Sequence, residues 1–150
     1  MEAESYADEE TSTFINENFV PIAAHIKERP AYFHRFDSVW TPTVLILDSE
    51  GVERARIEGY LPKEEFRAQL EAGLARVAFM HKQWADAESR YAKVLERYPK
   101  SKVAPEALYW KGVSRYKATN DHTILGQLPE QFKEKYPDSV WALKTTAWTH

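Results

Sequence analysis

Cysteine is absent from the 150 residues of this chain. A disulfide framework, a thiolate nucleophile, a zinc–thiolate site and a Cys-x-x-Cys redox pair are therefore excluded within these residues. Glycine is scarce, with 5 residues, and no glycine-rich phosphate-binding loop occurs. The Gly-x-Ser-x-Gly turn that carries a serine nucleophile is missing as well. We predict no catalytic residue, no metal site and no cofactor.

An excess of positive charge is also lacking. Lys and Arg number 20 against 23 Asp and Glu, which gives a formal net charge of −3. A protein that binds nucleic acid or an anionic membrane through bulk charge carries a basic excess instead. No apolar run approaches the roughly 20 residues of a membrane span, and the first ten residues, MEAESYADEE, are too acidic for a signal peptide. We expect a cytoplasmic protein that binds neither nucleic acid nor membranes.

Hydrophobic residues, at 43% of the chain, are sufficient for a packed core. In the first half, their pattern predicts alternating helices and about three strands. We expect the end of a helix over Asp8–Asn18, a buried strand over Phe19–Ile26 and a short helix over Pro30–Phe36. A continuous apolar run predicts a second strand over Thr43–Leu47. An alternating run over Val52–Glu58 predicts its antiparallel partner.

The second half is helical and contains a repeat. Helical periodicity covers Pro62–His81, Trp84–Tyr98 and Ala104–Lys117, and two weaker segments follow. The segment Glu96–Ser101 (ERYPKS) recurs 38 residues later as Glu134–Ser139 (EKYPDS). A period of this length with paired helices is typical of a helical-repeat array, in which proline ends one helix and serine caps the next.

Several short motifs together resemble the C-terminal part of a thioredoxin-like domain, over roughly residues 1–80. They are Phe19-Val20-Pro21-Ile22, Trp40-Thr41-Pro42-Thr43-Val44-Leu45-Ile46-Leu47-Asp48, Glu50-Gly51, Gly59-Tyr60 and the helix that holds Phe66 and Leu70. The tail resembles tetratricopeptide repeats, and this combination is familiar in bacteria. The implied fold is α/β, an incomplete thioredoxin-like sheet over residues 1–80 followed by an all-α tail over residues 81–150.

The resemblance implies a site at one proline. In the family, the proline matching Pro42 is cis, and the residue before it offers its backbone to an extended substrate. Trp40, Thr41 and Pro42 would then be the substrate-binding residues. The alternative is an ordinary trans proline that opens a strand.

The family's first strands and both of its redox cysteines have no counterpart, and the chain would start inside the helix that follows the cysteine motif. Three explanations remain open: Met1 is an internal methionine of a longer gene, the chain is a redox-dead variant with re-paired strands, or a partner supplies the missing strand. An unpaired sheet edge would favour a homodimer.

Two functions from different classes therefore compete. In the first, the chain is the distal part of a thiol–disulfide oxidoreductase whose cysteines lie upstream of Met1. In the second, it is a non-catalytic module that holds a protein or peptide partner through its helical tail. The row Tyr91, Tyr98, Tyr109, Trp110 and Tyr116 bears on the second function, since it forms either core or a peptide groove. The spacing favours core.

Overall fold

A computed structural model describes residues 8–25 and 27–149. The predicted α/β architecture is confirmed, with a small sheet in the first half and helices throughout the second. The elements are α1 (Glu9–Asn18), α2 (Pro30–Arg35), β1 (Thr43–Leu47), β2 (Glu53–Glu58), α3 (Lys63–Met80), α4 (Trp84–Arg97), α5 (Ala104–Thr119), α6 (Thr123–Lys135) and α7 (Val140–Thr145). A 3-10 helix, Thr146–Trp148, follows α7. None of the described helices is both long and apolar enough to span a bilayer.

The sheet consists of β1 and β2, which pair antiparallel with Val44 opposite Ile57. The turn between them is possible because Gly51 adopts a φ of 78°, a conformation that side chains other than glycine rarely tolerate. A bulge follows Ile46. The inner side chains of both strands, Ile46 and Ile57, are buried, which agrees with the alternation predicted for the second strand.

The predicted strand over Phe19–Ile26 is wrong for the residues that the structure describes, 19–25, which form no strand. Ile26 itself lies outside them. Proline at position 21 has no N–H to donate to a ladder, and the side chains of Val20 and Ile22 are 89% and 78% exposed. The described sheet accordingly has two strands rather than about three.

The start of α1 also differs from the prediction. Asp8 is its N-cap, with the side chain accepting a hydrogen bond from the N–H of Thr11 at 3.0 Å. The Thr11 hydroxyl donates to the same carboxylate at 2.8 Å. Because a side-chain cap satisfies the free N–H groups of a first turn, residues 8–18 form a whole short helix that begins after Asp8 and ends at Asn18, rather than only the end of a longer one.

Helix α3 belongs to two hydrophobic cores. Phe66 and Leu70 pack with the sheet, whereas an alanine-rich face that includes Ala68 and Ala75 packs against α4. The small side chains of this face allow α3 and α4 to approach closely. On the side of the sheet, α3 is also close, because a Cβ on Gly73 would lie 2.1 Å from Ile46 Cδ1. No flexible linker separates the sheet from the first helical pair, because one continuous helix serves both.

The two copies of the repeated motif adopt the same hydrogen-bonded turn. The N–H of Ser101 donates to the carbonyl of Tyr98 at 3.0 Å, and that of Ser139 to the carbonyl of Tyr136 at 3.2 Å. Each serine hydroxyl accepts the N–H two residues further on, at 3.1 and 3.0 Å. Each tyrosine N–H closes the preceding helix at 2.8 Å. The predicted repeat is therefore a structural one.

Contacts link each helix of the array to the next, because α4 packs against both α3 and α5, and α5 packs against α6. The hydroxyl of Tyr136 donates to the carbonyl of Pro99 at 2.8 Å and so ties the second copy of the motif to the first. Phe132 and Leu128 of α6 are buried against α5, where Leu128 lies closely over Gly112.

Candidate protein-binding surfaces

The predicted substrate site forms the loop that enters β1. The Thr41–Pro42 peptide bond is cis. Trp40 is 66% exposed, Thr41 is exposed and Pro42 is half-buried. The carbonyl of Pro42 accepts the N–H of Gly59 at 2.8 Å, and the hydroxyl of Thr43 donates to the carbonyl of Trp40 at 2.6 Å. The sheet thus holds the loop while leaving the indole of Trp40 open to a ligand.

A buried carboxylate organises the opposite end of the hairpin. Asp48 accepts hydrogen bonds from the N–H groups of Glu50 (2.9 Å) and Val52 (3.0 Å) and from the Arg54 guanidinium (3.0 Å). His81 Nε2 lies 3.1 Å from the same side chain. The Val52 hydrogen bond, followed by those of His81, Glu50 and Arg54, holds the pKa of Asp48 well below its usual range against the opposing effect of burial. This saturated carboxylate is a structural contact between the hairpin and the end of α3.

Six aromatic side chains form a continuous row across the helical half, and we call it the aromatic face. Adjacent rings lie 5.0–6.2 Å apart between centroids, which is the usual range for interacting aromatics. Every one of the six side chains is half-buried. They are Phe79, Trp84, Tyr109, Trp110, Trp141 and Trp148.

Two cations lie over this face. The guanidinium carbon of Arg76 is 5.1 Å from the ring centroid of Trp110, and the Lys144 ammonium nitrogen is 3.9 Å from that of Trp141. Cation–π contacts of this kind orient a charge without neutralising it. Among the described residues, neither cation has a carboxylate partner within ion-pairing distance.

An acidic side chain lies near the two cations. Glu106 of α5 is half-buried, and this burial raises its pKa, while the charges of Arg76 and Lys144 act in the opposite direction. Glu106 therefore interacts electrostatically with both cations, although it forms no ion pair with either of them. The face combines apolar rings with two positive charges that form no ion pair within the described residues.

The tyrosine-rich row of the sequence analysis lies mostly in or against the hydrophobic cores, as its spacing favours. Tyr91 is 2% exposed and belongs to the core, which also raises its pKa. Tyr98 and Trp110 pack against the same core, and Tyr109 packs against the core between α5 and α6. Tyr109 and Trp110 are also part of the aromatic face. Sequence reasoning missed Arg76, Trp141 and Lys144. Trp110 follows Arg76 by 34 residues, and Lys144 follows Trp110 by the same interval, a spacing that could have indicated a shared face.

No cluster of three or more metal-ligating side chains occurs among residues 8–25 and 27–149. A polar cleft of about 280 Å³ between α5 and α6 is lined in part by Lys111, Arg115 and Asp121. Its Asp121 carboxylate already accepts the hydroxyl and N–H of Thr123. The carboxylate of Asp121 is therefore occupied by hydrogen bonds at the start of α6.

Comparison with known families adds two matches. Residues 1–74 match a thioredoxin-like domain family, and residues 67–101 match a tetratricopeptide repeat family. The two matches overlap inside α3, the helix that both cores use, and the boundary at residues 80 and 81 stays a prediction. No curated protein and no solved structure matches the chain. The chain therefore joins a thioredoxin-like domain to a tetratricopeptide-like repeat within one shared helix.

Proposed function

We propose that the chain is a non-catalytic protein-binding module of thioredoxin-family descent, and that its aromatic face binds an acidic segment of a partner protein. The observation that carries this proposal is the pair of cations, Arg76 and Lys144, that lie over indole rings without a carboxylate partner among the described residues. A tetratricopeptide-like repeat supports protein interaction in general, and the face gives that interaction a charge preference.

The physical basis is complementary chemistry. Half-buried aromatic rings supply apolar area at low entropic cost, and such rings with arginine are enriched where proteins bind each other. An acidic side chain that reaches Arg76 or Lys144 gains a charge-assisted hydrogen bond. A basic segment would instead meet two like charges, so the face should discriminate by charge.

The test uses three sets of synthetic ten-residue peptides, which are acidic, neutral or basic. Each peptide has one aromatic residue other than tryptophan as its anchor. Tryptophan fluorescence of the chain reports binding, because Trp110 and Trp141 lie on the face. The double variant Arg76→Gln/Lys144→Gln removes both cations. The matched control, Lys100→Gln/Lys102→Gln, removes the same charge from an exposed loop.

We expect saturable binding of the acidic peptides and weakening in the face variant. Two partly exposed charge pairs at about 0.2–1 kcal/mol each correspond to a roughly two- to thirtyfold loss. The loop control should bind like the unmodified chain. Equal binding of acidic and basic peptides, or equal weakening in both double variants, would refute the proposed preference.

The loop of Trp40, Thr41 and Pro42 supports a second candidate, a peptide-binding site of thioredoxin lineage. Its support is the exposed indole beside an exposed backbone segment, since Val39 and Trp40 are 81% and 66% exposed. Trp40→Ala should then weaken binding of an extended peptide without affecting the acidic-peptide titration. Thiol-dependent reduction of insulin by these 150 residues is not expected, because they contain no thiol. Cytoplasmic location stays a prediction.

A further inference from the structure

One edge of the sheet carries hydrogen-bonding groups that β2 does not use. The N–H of Gly59 bonds to the carbonyl of Pro42, and that of Asp48 to the carbonyl of Val52. In an antiparallel pair, hydrogen-bonded positions alternate with positions whose N–H and C=O point away. The observed register therefore directs the backbone groups of Thr43, Leu45 and Leu47 outward.

Within the described part of the chain, no strand pairs with that edge. The five residues of β1 include no charge and no proline, which are two of the features by which proteins protect an exposed edge. Apolar side chains flank it as well, because Trp40 is 66% exposed and Leu47 is 39% exposed.

The outward groups are symmetric about Leu45. If a second β1 runs antiparallel along the first with its two-fold axis at Leu45, that residue lies opposite its own copy. Thr43 of each chain then lies opposite Leu47 of the other. All three are hydrogen-bonded positions, and each such pair of residues exchanges two backbone bonds. The same patch serves both chains, as an isologous two-fold interface requires.

We propose that two copies of this chain associate through their β1 edges in this register and form a continuous four-stranded antiparallel sheet. A second copy suits the edge because β1 is uncharged, so that the paired strands do not repel each other. The spacing of its outward backbone groups is also self-complementary. This association is independent of the aromatic face. It uses backbone atoms of the hairpin and none of the cations of the helical half.

Two double variants test the register. Thr43→Lys/Leu47→Lys places lysine opposite lysine at both ends of the shared edge. Thr43→Lys/Leu47→Glu places lysine opposite glutamate there and differs from the first variant at one position only. Both lose the Thr43 hydroxyl that bonds to Trp40, so this loss cancels in the comparison. Met80→Lys, at 41% exposure, controls for adding a lysine at an equally exposed apolar site.

Analytical ultracentrifugation of the full chain measures the result, and circular dichroism verifies that each variant is folded. We expect the unmodified chain, Met80→Lys and the Lys/Glu variant to form dimers of twice 17.4 kDa. The dimer dissociation constant of the Lys/Lys variant should be at least about tenfold higher than that of the unmodified chain, because like charges directly opposite destabilise strand pairs.

Three outcomes would overturn the proposal. The first is a monomeric unmodified chain, including one whose edge binds only a foreign strand such as a free TVLIL peptide. The second is a Lys/Lys variant that dimerises as well as the unmodified chain. The third is a folded Lys/Glu variant that dissociates as strongly as the Lys/Lys variant, since the register would then be wrong.

Discussion

Truncating one phenylalanine in the sheet core should destabilise the helical half as well. Phe66 is fully buried against the sheet, and Phe132 is fully buried in the core between α5 and α6. Phe→Ala in such positions costs about 3–5 kcal/mol. Because α3 contributes to both the sheet core and the first helical pair, we expect the chain to unfold in one transition, which either substitution shifts.

The size of the shift follows from chain length. Unfolding entropy near 60 °C is about 2.1 cal/mol/K per residue, or roughly 0.3 kcal/mol/K for a chain of this size. A loss of 3–5 kcal/mol therefore lowers Tm by about 10–15 °C. Tyr60→Ala, at a side chain that is 70% exposed, is the control for a lost aromatic in the same half and should shift Tm by less than about 2 °C.

The assay separates the two halves by their signals. Of the 5 tryptophans, Trp40 alone lies in the first half, so a Trp40→Phe background makes fluorescence a probe of the helical half. In that background, Phe66→Ala should shift the fluorescence transition as much as Phe132→Ala does. The coupling through α3 would be refuted if Phe66→Ala left the midpoint of the fluorescence transition unchanged while part of the circular dichroism signal was lost at a lower temperature.

Two further predictions concern individual hydrogen bonds. Tyr136→Phe removes the bond to Pro99 and should cost about 0.5–1.5 kcal/mol in urea unfolding; the equivalent Tyr98→Phe should cost less, and equal losses would contradict this assignment. Asp48→Asn should destabilise the chain most at neutral pH. The pKa of Asp48 is lowered on folding, so its stabilisation is present above the unfolded value near 3.9 and is lost as pH falls towards the folded value. The difference between Asp48→Asn and the unmodified chain should therefore shrink below about pH 4, and a pH-independent difference in denaturant melts would contradict it.

Most elements were predictable because each has a strong local pattern. The continuous apolar run of β1 and the repeated Tyr-Pro-x-Ser turn are correct to within a residue or two. Residues 19–25 were not predictable in this way, because an apolar run indicates burial and a strand needs a hydrogen-bonding partner. The beginning of α1 depended on the conformation of Asp8, which its sequence position alone does not fix.

The aromatic face was only partly predictable. Periodicity identifies Trp110 as an inward or half-buried position, yet it says nothing about which cation reaches its ring. Arg76 and Lys144 are common surface residues in sequence terms. Their significance comes from α3 and α7 being brought to the same side of α5, which is a property of the packed array.

The continuous helix α3 also sets a distance. Its 18 residues span about 27 Å at 1.5 Å per residue. The sheet packs along the helix from Phe66 to the C-cap His81, which reaches Asp48, so the sheet and Arg76 are held by one continuous helix. If two chains pair through β1, the two aromatic faces are held at a fixed separation. A partner with two acidic segments at that separation would bind both faces with a gain from effective concentration, whereas shorter or longer spacings would forfeit it. The dimer would then select partners by the spacing between their acidic segments.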